Sequence, residues 1–308
     1  MEVLVMEGRA YHPIYLSTHT KNKITEKAKL LEEILSACSL CPRGCKINRL
    51  KGETGFCKGG SQVRVTSAFP HFGEESCLVG NHGSGTIFFS YCNLGCVFCQ
   101  NYEISHGAEG KDVSKEELSK MMLYLQGRGC SNINLVTPTH FAPQIVEALV
   151  MAIADGLNIP LVYNCGGYES PEVIDILDGI IDIYMPDAKF FSSEVTREFC
   201  QAPDYFPNLK TVLKKMHKQV GDLVISEGIA RRGLLIRHLI MPEGLAGTKE
   251  IMRFIATEIS CNTYVNVMSQ YRPCGKAFRF ARINRALRHG EFLEGRVIAQ
   301  SFGLNRFD

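Results

Sequence analysis

The sequence predicts an α/β protein with a partial barrel of six β/α units. Strands that are apolar nearly throughout are typical of a parallel sheet covered by helices. Polar residues collect where the apolar runs end, and in barrels of this kind that edge of the sheet carries the active site. The runs are GTIFFSY (85–91), NINLV (132–136), PLVYN (160–164), DIYMP (182–186), LLIRHLIM (234–241) and TYVNVM (263–268).

The helices between these runs are predicted from caps and from apolar spacing. Ser114 and Glu117 have the spacing of a capping box at a helix start. Apolar residues then recur on one helical face, namely Leu118, Met121, Met122 and Leu125, and after the second run Val146, Leu149, Val150 and Ile153. Further helices are expected to begin near Pro171, Phe206 and Thr248. Helices therefore alternate with strands through the middle of the chain.

We expect three regions along the chain: a cysteine-rich, metal-binding extension over 1–80, the barrel core over 81–275, and a basic extension over 276–308. The first should contain a helix near 23–36 and the strand VRVTSAF, and the last should end in a helix and a strand. Four arginines recur every third residue and are expected to line the solvated side of one helix: Arg279, Arg282, Arg285 and Arg288. The alternative is recognition of an acidic peptide or a substrate carboxylate.

The charge balance and the apolar patterning limit which partners and which cellular location we expect. The 308 residues are 45% hydrophobic and 21% charged, with a formal net charge of +2. This balance gives no reason to expect a nucleic acid or a membrane surface as partner. The N-terminus lacks a signal-peptide pattern, and no run approaches the 18 or so apolar residues of a membrane helix. We therefore expect a cytoplasmic protein.

Cysteine is the conspicuous residue, because the chain has 13 of them. In a reducing cytoplasm that number indicates metal or cluster binding rather than disulfides. Seven form two local groups, which are Cys38, Cys41, Cys45 and Cys57, and then Cys92, Cys96 and Cys99. The other six are scattered, and most are expected to be small core residues.

The second group has the spacing C-x3-C-x2-C in the segment FFSYCNLGCVFCQNYEIS, directly after the first apolar run. We call residues 92–99 the three-cysteine loop. One interpretation is a zinc site completed by a ligand from elsewhere, and another is an electron-transfer [4Fe–4S] centre, which needs four thiolates. The third is a [4Fe–4S] cluster held by three cysteines, with one iron open to a reacting ligand. Only the third explains the missing fourth cysteine beside a barrel mouth.

This spacing, with Phe98 before the last cysteine, resembles the motif of the radical SAM superfamily. Within that superfamily the chain is similar to the pyruvate formate-lyase activating-enzyme-related branch over nearly its whole length. The similar stretches are CSLCPRGCKINRLKGETGFC, FFSYCNLGCVFCQNYEIS, INLVTPTHF, DIYMPDAKFF, IRHLIMPEG and NVMSQYRPCGKA. The resemblance implies that the open iron binds S-adenosylmethionine (SAM), which the reduced cluster cleaves to methionine and a 5′-deoxyadenosyl radical.

The resemblance also implies which residues contact SAM. Asp187 and Lys189 match an Asp-x-Lys pair after the fourth barrel strand, and Arg237 or His238 matches a basic residue that meets the SAM carboxylate. The family's usual Gly-Gly-Glu stretch is replaced by Thr137-Pro138-Thr139-His140. Hydroxyls or carbonyls of this stretch would accept the hydrogen bond that the SAM amino group donates. The full set of candidate cofactor contacts is Phe98, Thr137, Thr139, Asn164, Asp187, Lys189, Arg237 and His238.

The first cysteine group spans residues 38–57, which we call the four-cysteine loop. Four thiolates at these spacings indicate a closed site. Zinc and an auxiliary [4Fe–4S] cluster both fit, and the knuckle Cys41-Pro-Arg-Gly-Cys45 favours zinc. A structural role is expected because a metal stabilises a small loop-rich segment. The alternatives are an electron entry point and a substrate dock.

The predicted function is abstraction of a hydrogen atom from a protein, peptide or small-molecule substrate, with activation of a glycyl-radical enzyme as one form. Cys274 is a candidate catalytic thiol near the barrel mouth, although a structural cysteine is more common there. The expected partners are an electron donor such as flavodoxin or ferredoxin and a glycyl-radical enzyme or peptide substrate. The alternative is an iron–sulfur or zinc module for electron transfer or binding, without SAM chemistry.

Overall fold

The computed structural model describes residues 11–20, 22–107 and 109–308. Its strands are β1 (Val63–His71), β2 (Ser84–Phe89), β3 (Lys111–Val113), β4 (Ile133–Val136), β5 (Leu161–Cys165), β6 (Ile183–Pro186), β7 (Val224–Ser226), β8 (Ile229–Leu239), β9 (Tyr264–Met268) and β10 (Arg306–Phe307). Its helices are α1 (Ile14–Thr20), α2 (Lys23–Glu33), α3 (Ser76–Val79), α4 (Tyr102–Ser105), α5 (Lys115–Gly127), α6 (Ala142–Ala154), α7 (Pro171–Ile176), α8 (Ser193–Cys200), α9 (Tyr205–Val220), α10 (Thr248–Phe254) and α11 (His289–Ser301).

The six predicted strands form one continuous parallel run in the order β2-β4-β5-β6-β8-β9. Helices follow the strands and cover the outer face, so β5 and β6 are buried along their whole length. The sheet ends in β3 on one side and β10 on the other, which leaves the curved sheet open. This architecture is the partial (β/α)6 barrel that the sequence predicts.

Both extensions add strands to the barrel sheet. On one side β1 pairs antiparallel with β2 and also with β3, and on the other side β10 pairs parallel with β9. The expected terminal helix and strand are therefore present as α11 and β10. Because strands from both extensions belong to the barrel sheet, the sheet shows no boundary at residue 80 or residue 275. The three-region division therefore remains a prediction from sequence.

Local signals explain several of the helix starts. Ser114 accepts the amide of Glu117 at 3.2 Å, and the Glu117 carboxylate accepts the amide of Ser114 at 2.8 Å, so the predicted capping box is present. The helices expected near Pro171, Phe206 and Thr248 begin at Pro171, Tyr205 and Thr248. The predicted fifth barrel strand starts earlier than expected, since β8 begins at Ile229 and its first residues pair with β7 as a hairpin.

The arginine series was wrongly assigned to one helix. Residues 277–279 and 281–283 form two short 3-10 turns, and the regular helix begins only at His289. Arg285 binds Glu291 of α11 at 2.7 Å, while Arg282 lies 3.9 Å from Glu198 and 3.8 Å from Glu243. Since these side chains serve different ion pairs, they do not line one helical face.

In the described part of the chain, no helix is both long enough and apolar enough to cross a membrane.

Candidate active site

The carboxyl ends of the barrel strands open into a cavity of about 260 Å³. All three thiols of the three-cysteine loop line it, together with strand-end residues from β4, β5, β6 and β8. The predicted residues in its wall are Cys92, Cys96, Cys99, Phe98, Thr137, Asn164, Asp187, Lys189 and Arg237. The sheet therefore brings together residues that lie up to 145 positions apart, as the parallel topology requires.

The three-cysteine loop turns sharply after β2. Tyr91 has φ +73° and Gly95 has φ +66°, a left-handed conformation that tightens the turn on each side of Cys92. The amide of Leu94 donates to the Cys92 sulfur at 3.4 Å, and the amide of Cys99 donates to the carbonyl of Cys96 at 3.2 Å. These local bonds fold the loop back on itself, so that its three thiols face one cavity.

The loop cysteines are partly to fully buried, since Cys96 is buried and Cys92 and Cys99 are half-buried. Burial raises the pKa of Cys92 to about 12 and also raises the pKa of Cys99. Both groups are therefore thiols at neutral pH in the free protein, and each must release its proton when it binds a metal.

Cys200, at the end of α8, contacts the three-cysteine loop directly. Its sulfur lies 3.4 Å from the sulfur of Cys96, and both residues are buried. The sequence offered no signal for this contact, because Cys200 is separated from Cys96 by 104 positions and belongs to no spacing pattern. The Cys200 thiol can donate a hydrogen bond to the sulfur of Cys96.

Asp187 is the centre of a charged network in the cavity wall. One of its oxygens accepts from Lys189 Nζ at 2.5 Å, and the other accepts from Arg237 Nε at 2.8 Å. The Arg237 guanidinium also donates to the Asn164 side-chain oxygen at 2.6 Å. The strand-end cations and the carboxylate therefore hold one another in place before any ligand binds.

The charges in this network keep one another ionised. Burial of Asp187 acts against its charge, but Arg237 and Lys189 outweigh it, so the pKa of Asp187 lies below its usual value. Burial likewise disfavours charged Lys189, yet the neighbouring Asp187 raises its pKa above the ordinary range. The cavity wall thus offers a fixed anion beside two fixed cations at neutral pH.

A second acidic layer lies behind Arg237. Glu74 and Glu75 approach the guanidinium at 3.9 and 4.0 Å, and Asn266 donates to Glu75 at 2.9 Å. Burial raises the pKa of Glu75, although Arg237 and Asn266 oppose that shift. Sequence reasoning missed these two glutamates, since they precede the first barrel strand and match no motif.

Of the two basic candidates for the SAM carboxylate, Arg237 and His238, the structure brings only the first to the cavity. His238 is fully buried on the other face of β8, where its ring nitrogens lie 2.6 Å from the Ala188 carbonyl and 3.0 Å from the Thr248 hydroxyl. Burial lowers the pKa of His238 to about 4, so the ring is neutral. Alternation of side chains along a strand separates the two neighbours.

Two other predicted residues lie away from the cavity wall. Thr139 is buried and donates to Glu169 at 2.9 Å, a contact that belongs to the packing beneath the strand ends. Cys274 lies beyond the lining, which in this segment consists of Gln270, Tyr271 and Arg272. Thr137, in contrast, lines the cavity in a left-handed conformation with φ +61°.

The four-cysteine loop surrounds a second, much smaller cavity of about 10 Å³. Cys38, Cys41, Cys45 and Cys57 all line it, as the spacing predicts, together with Arg49 and His140. Arg49 is fully buried and donates to the carbonyl of His140 at 2.7 Å and to the carbonyl of Gly60. The bond to His140 attaches the four-cysteine loop to the segment that follows β4.

Across residues 11–20, 22–107 and 109–308, no three or more Cys, His, Asp or Glu side chains are grouped closely enough to hold a single metal ion. A zinc ion draws its thiolates to about 2.3 Å from one point. A cluster binds each thiolate through a different iron, so its ligands stand farther apart. The thiols of each cysteine loop nevertheless line one cavity.

Comparison with known proteins identifies the family. Residues 86–239, half of the chain, match the family described as the radical SAM superfamily. Over 294 residues the chain is 32% identical to an uncharacterized protein of Methanocaldococcus jannaschii, MJ0674, and the match covers 92% of this chain and 80% of that one. Among solved structures, methylornithine synthase (PylB) superposes with a TM-score of 0.45 and 15% identity, covering 70% of this chain and 68% of that one.

The matched region begins in β2 and ends with β8, so it contains the three-cysteine loop and the charged network around Asp187. The chain belongs to the radical SAM superfamily.

Proposed function

We propose that this enzyme binds a [4Fe–4S] cluster through Cys92, Cys96 and Cys99, binds SAM beside it, and abstracts a hydrogen atom from a substrate that enters the same cavity. One observation carries the proposal. The three thiols and the charged network of Asp187, Lys189 and Arg237 are parts of one cavity wall. An electron-transfer module would need no charged strand-end site next to its cluster.

The residues fit both cofactors that the family implies. Three soft sulfur donors on one loop suit iron in a cluster better than they suit a hard cation. Mixed charges beside Phe98 suit a zwitterion that carries an aromatic base. When bound, a reduced cluster with SAM supplies a 5′-deoxyadenosyl radical.

In this proposal, the charged residues of the cavity wall bind and orient SAM. Arg237 and Lys189 provide the cations for a carboxylate, and Asp187 provides an acceptor for an amino or hydroxyl group. Because Arg237 and Lys189 already hold both oxygens of Asp187, that acceptor cannot rotate away. Asn164 accepts a hydrogen bond from the Arg237 guanidinium and so holds it at the cavity wall.

Apolar side chains exclude water from the same cavity. Leu94, Phe98 and Tyr271 are all buried and all line it. The ring of Phe98 packs edge-on against Tyr271, with 6.1 Å between centroids, and against Phe190 at 5.6 Å. Exclusion of water protects a reactive radical from side reactions until it meets the substrate.

The finer proposal concerns the substrate. The sequence stretches that resemble activating enzymes support a protein or peptide substrate, and a glycyl-radical enzyme is the first candidate to test. An electron donor such as flavodoxin or ferredoxin is the proposed redox partner, because the cluster must be reduced by one electron in each cycle.

We also propose a second metal centre in the four-cysteine loop, held by Cys38, Cys41, Cys45 and Cys57. Four thiols around one small cavity support it. Zinc and a [4Fe–4S] cluster differ in composition, so metal analysis of wild type against Cys41→Ala distinguishes them. Loss of zinc identifies a zinc knuckle, whereas loss of about four irons identifies a cluster.

The test is anaerobic reconstitution with iron and sulfide, followed by dithionite and SAM. We expect 5′-deoxyadenosine and methionine from wild type and neither from Cys96→Ala. The matched control is Cys261→Ala, which removes an exposed cysteine remote from either loop in sequence. Absence of 5′-deoxyadenosine from cluster-loaded wild type would contradict the proposed function and favour the electron-transfer module.

A further inference from the structure

Arg43 lies between two cysteines of the four-cysteine loop, yet its side chain reaches the three-cysteine loop. Its Nε donates to the carbonyl of Asn93 at 3.0 Å, and one Nη donates to the carbonyl of Leu94 at 3.1 Å. Both acceptors lie between Cys92 and Cys96. A residue of one cysteine loop therefore binds the backbone of the other.

The same guanidinium also binds the end of α8. Arg43 donates to the carbonyl of Cys200 at 2.7 Å and to the carbonyl of Gln201. Because the Cys200 sulfur contacts Cys96, Arg43 holds both the three-cysteine loop and the end of α8 that packs against it. A planar fork with five N–H donors can serve four carbonyls, which no other side chain can do.

Aromatic rings hold the fork in place. The Arg43 guanidinium lies 3.7 Å from the centroid of Phe56 and 5.3 Å from that of Tyr168. Phe56 belongs to the four-cysteine loop and also covers Gly95, where an added Cβ would meet its ring at 3.0 Å. Stacking and hydrogen bonding together leave Arg43 little rotational freedom.

The two cysteine loops also border a common cleft. A cavity of about 220 Å³ is lined by Cys57 and Phe56 from one loop and by Cys92 and Gly95 from the other. A change in the shape of the four-cysteine loop would therefore be felt at Cys92 as well as at the carbonyls that Arg43 binds.

We propose that Arg43 is a positioning residue that locks the three-cysteine loop to the four-cysteine loop, so that metal binding in the four-cysteine loop sets the geometry of the catalytic cluster. A metal bound by Cys41 and Cys45 fixes the backbone on both sides of Arg43. Arg43 then carries that order to the three-cysteine loop through four carbonyls. This inference rests on the proposed function and on the proposed second metal centre.

The experiment compares electron paramagnetic resonance (EPR) spectra of anaerobically reconstituted, dithionite-reduced protein. The variants are Arg43→Ala, Arg43→Lys and Cys41→Ala, and the control is Lys51→Ala, which removes an exposed cation from the same segment. A variant with Cys92, Cys96 and Cys99 all changed to Ala gives any signal of the four-cysteine loop for subtraction.

We expect Arg43→Ala to keep its second metal but to shift the g values of the catalytic cluster, with 5′-deoxyadenosine formation reduced on the order of 10–100-fold by misplacement. Arg43→Lys should give a smaller shift of the same kind, because one ammonium can keep some of these hydrogen bonds but cannot reach all four carbonyls. Cys41→Ala should reproduce the shift of Arg43→Ala, and Lys51→Ala should match wild type.

Wild-type spectra in Arg43→Ala would overturn the proposal, as would a catalytic signal that Cys41→Ala leaves unchanged. If Arg43→Ala does not fold, Arg43→Lys and Cys41→Ala carry the same comparison. The proposed function is judged on wild type alone, so 5′-deoxyadenosine from wild type with unaltered spectra in the variants refutes only this inference.

Discussion

Replacement of Arg237 by Met should strongly destabilise the protein, because it leaves buried carboxylates without their cation. Asp187 would retain only Lys189, the Asn164 oxygen would lose its donor, and Glu75 would lose the guanidinium 4.0 Å away. Removal of one partner from a buried ion pair costs about 3–5 kcal/mol. Arg237→Lys keeps the charge and loses hydrogen bonds of the fork, so its cost should be about 1.5–3 kcal/mol.

The pH dependence separates this electrostatic effect from simple loss of packing. In wild type the pKa of Asp187 is lowered, so its contribution to stability is full above its unfolded pKa and is lost as the pH falls through the folded value. In Arg237→Met, burial should raise the pKa of Asp187 and raise that of Glu75 further. The folded variant then takes up protons that the unfolded chain does not, and the difference in unfolding free energy between wild type and variant narrows as the pH falls from 7.5 to 5.5.

The assay is urea unfolding of reconstituted protein at both pH values. The chain has no tryptophan, so far-UV circular dichroism is the suitable signal. Arg253→Ala, a change at an exposed arginine of α10, is the control and should alter stability by about 0.5 kcal/mol or less. A loss under about 1 kcal/mol in Arg237→Met at pH 7.5, or a loss that does not vary with pH, would refute the reasoning.

Three further predictions concern the shell around the cavity. Gly167→Ala places a Cβ 2.7 Å from Leu209 at φ +74°, whereas Gly156→Ala has φ +98° and open space around the new Cβ. In urea unfolding, Gly167→Ala should lose about 1–3 kcal/mol more unfolding free energy than Gly156→Ala, and equal losses would contradict the close approach. Burial raises the pKa of Glu169 from 4.5 to about 7, so wild type should lose unfolding free energy as the pH rises from 4.5 to 7, and Glu169→Gln should lose less. Parallel plots of unfolding free energy against pH for the two proteins would count against this prediction. Cys200→Ala removes a thiol beside the sulfur of Cys96, a proposed cluster ligand, and should make the cluster potential more negative by about 40 mV in a redox titration. An unchanged potential would show that the thiol donates no hydrogen bond.

Most of the barrel could be predicted from the sequence, because its signals are local. Each barrel strand lies in a run that is apolar nearly throughout, and helix starts such as Ser114 carry their own caps. The start of β8 was misplaced because its first residues are stabilised by a hairpin with β7 rather than by burial. The arginines after residue 278 kept a regular spacing, but the backbone there follows separate ion pairs.

The residues of the cavity wall were predictable where a motif lies within one segment. The three-cysteine loop and the pair Asp187 and Lys189 are of this kind. Spacing could not choose between Arg237 and His238, since the choice depends on which face of β8 turns toward the cavity. Cys200 and Arg43 could not be found at all, because their contacts join segments whose proximity arises only in the folded chain.

The central claim is that the three-cysteine loop holds a cluster with one iron open to SAM. The most direct measurement is the EPR spectrum of the reduced, reconstituted protein before and after SAM is added. We predict a [4Fe–4S] signal in wild type whose g values change when SAM binds, and loss of that signal in Cys96→Ala. A wild-type signal from this loop that stays the same with SAM present would contradict the account.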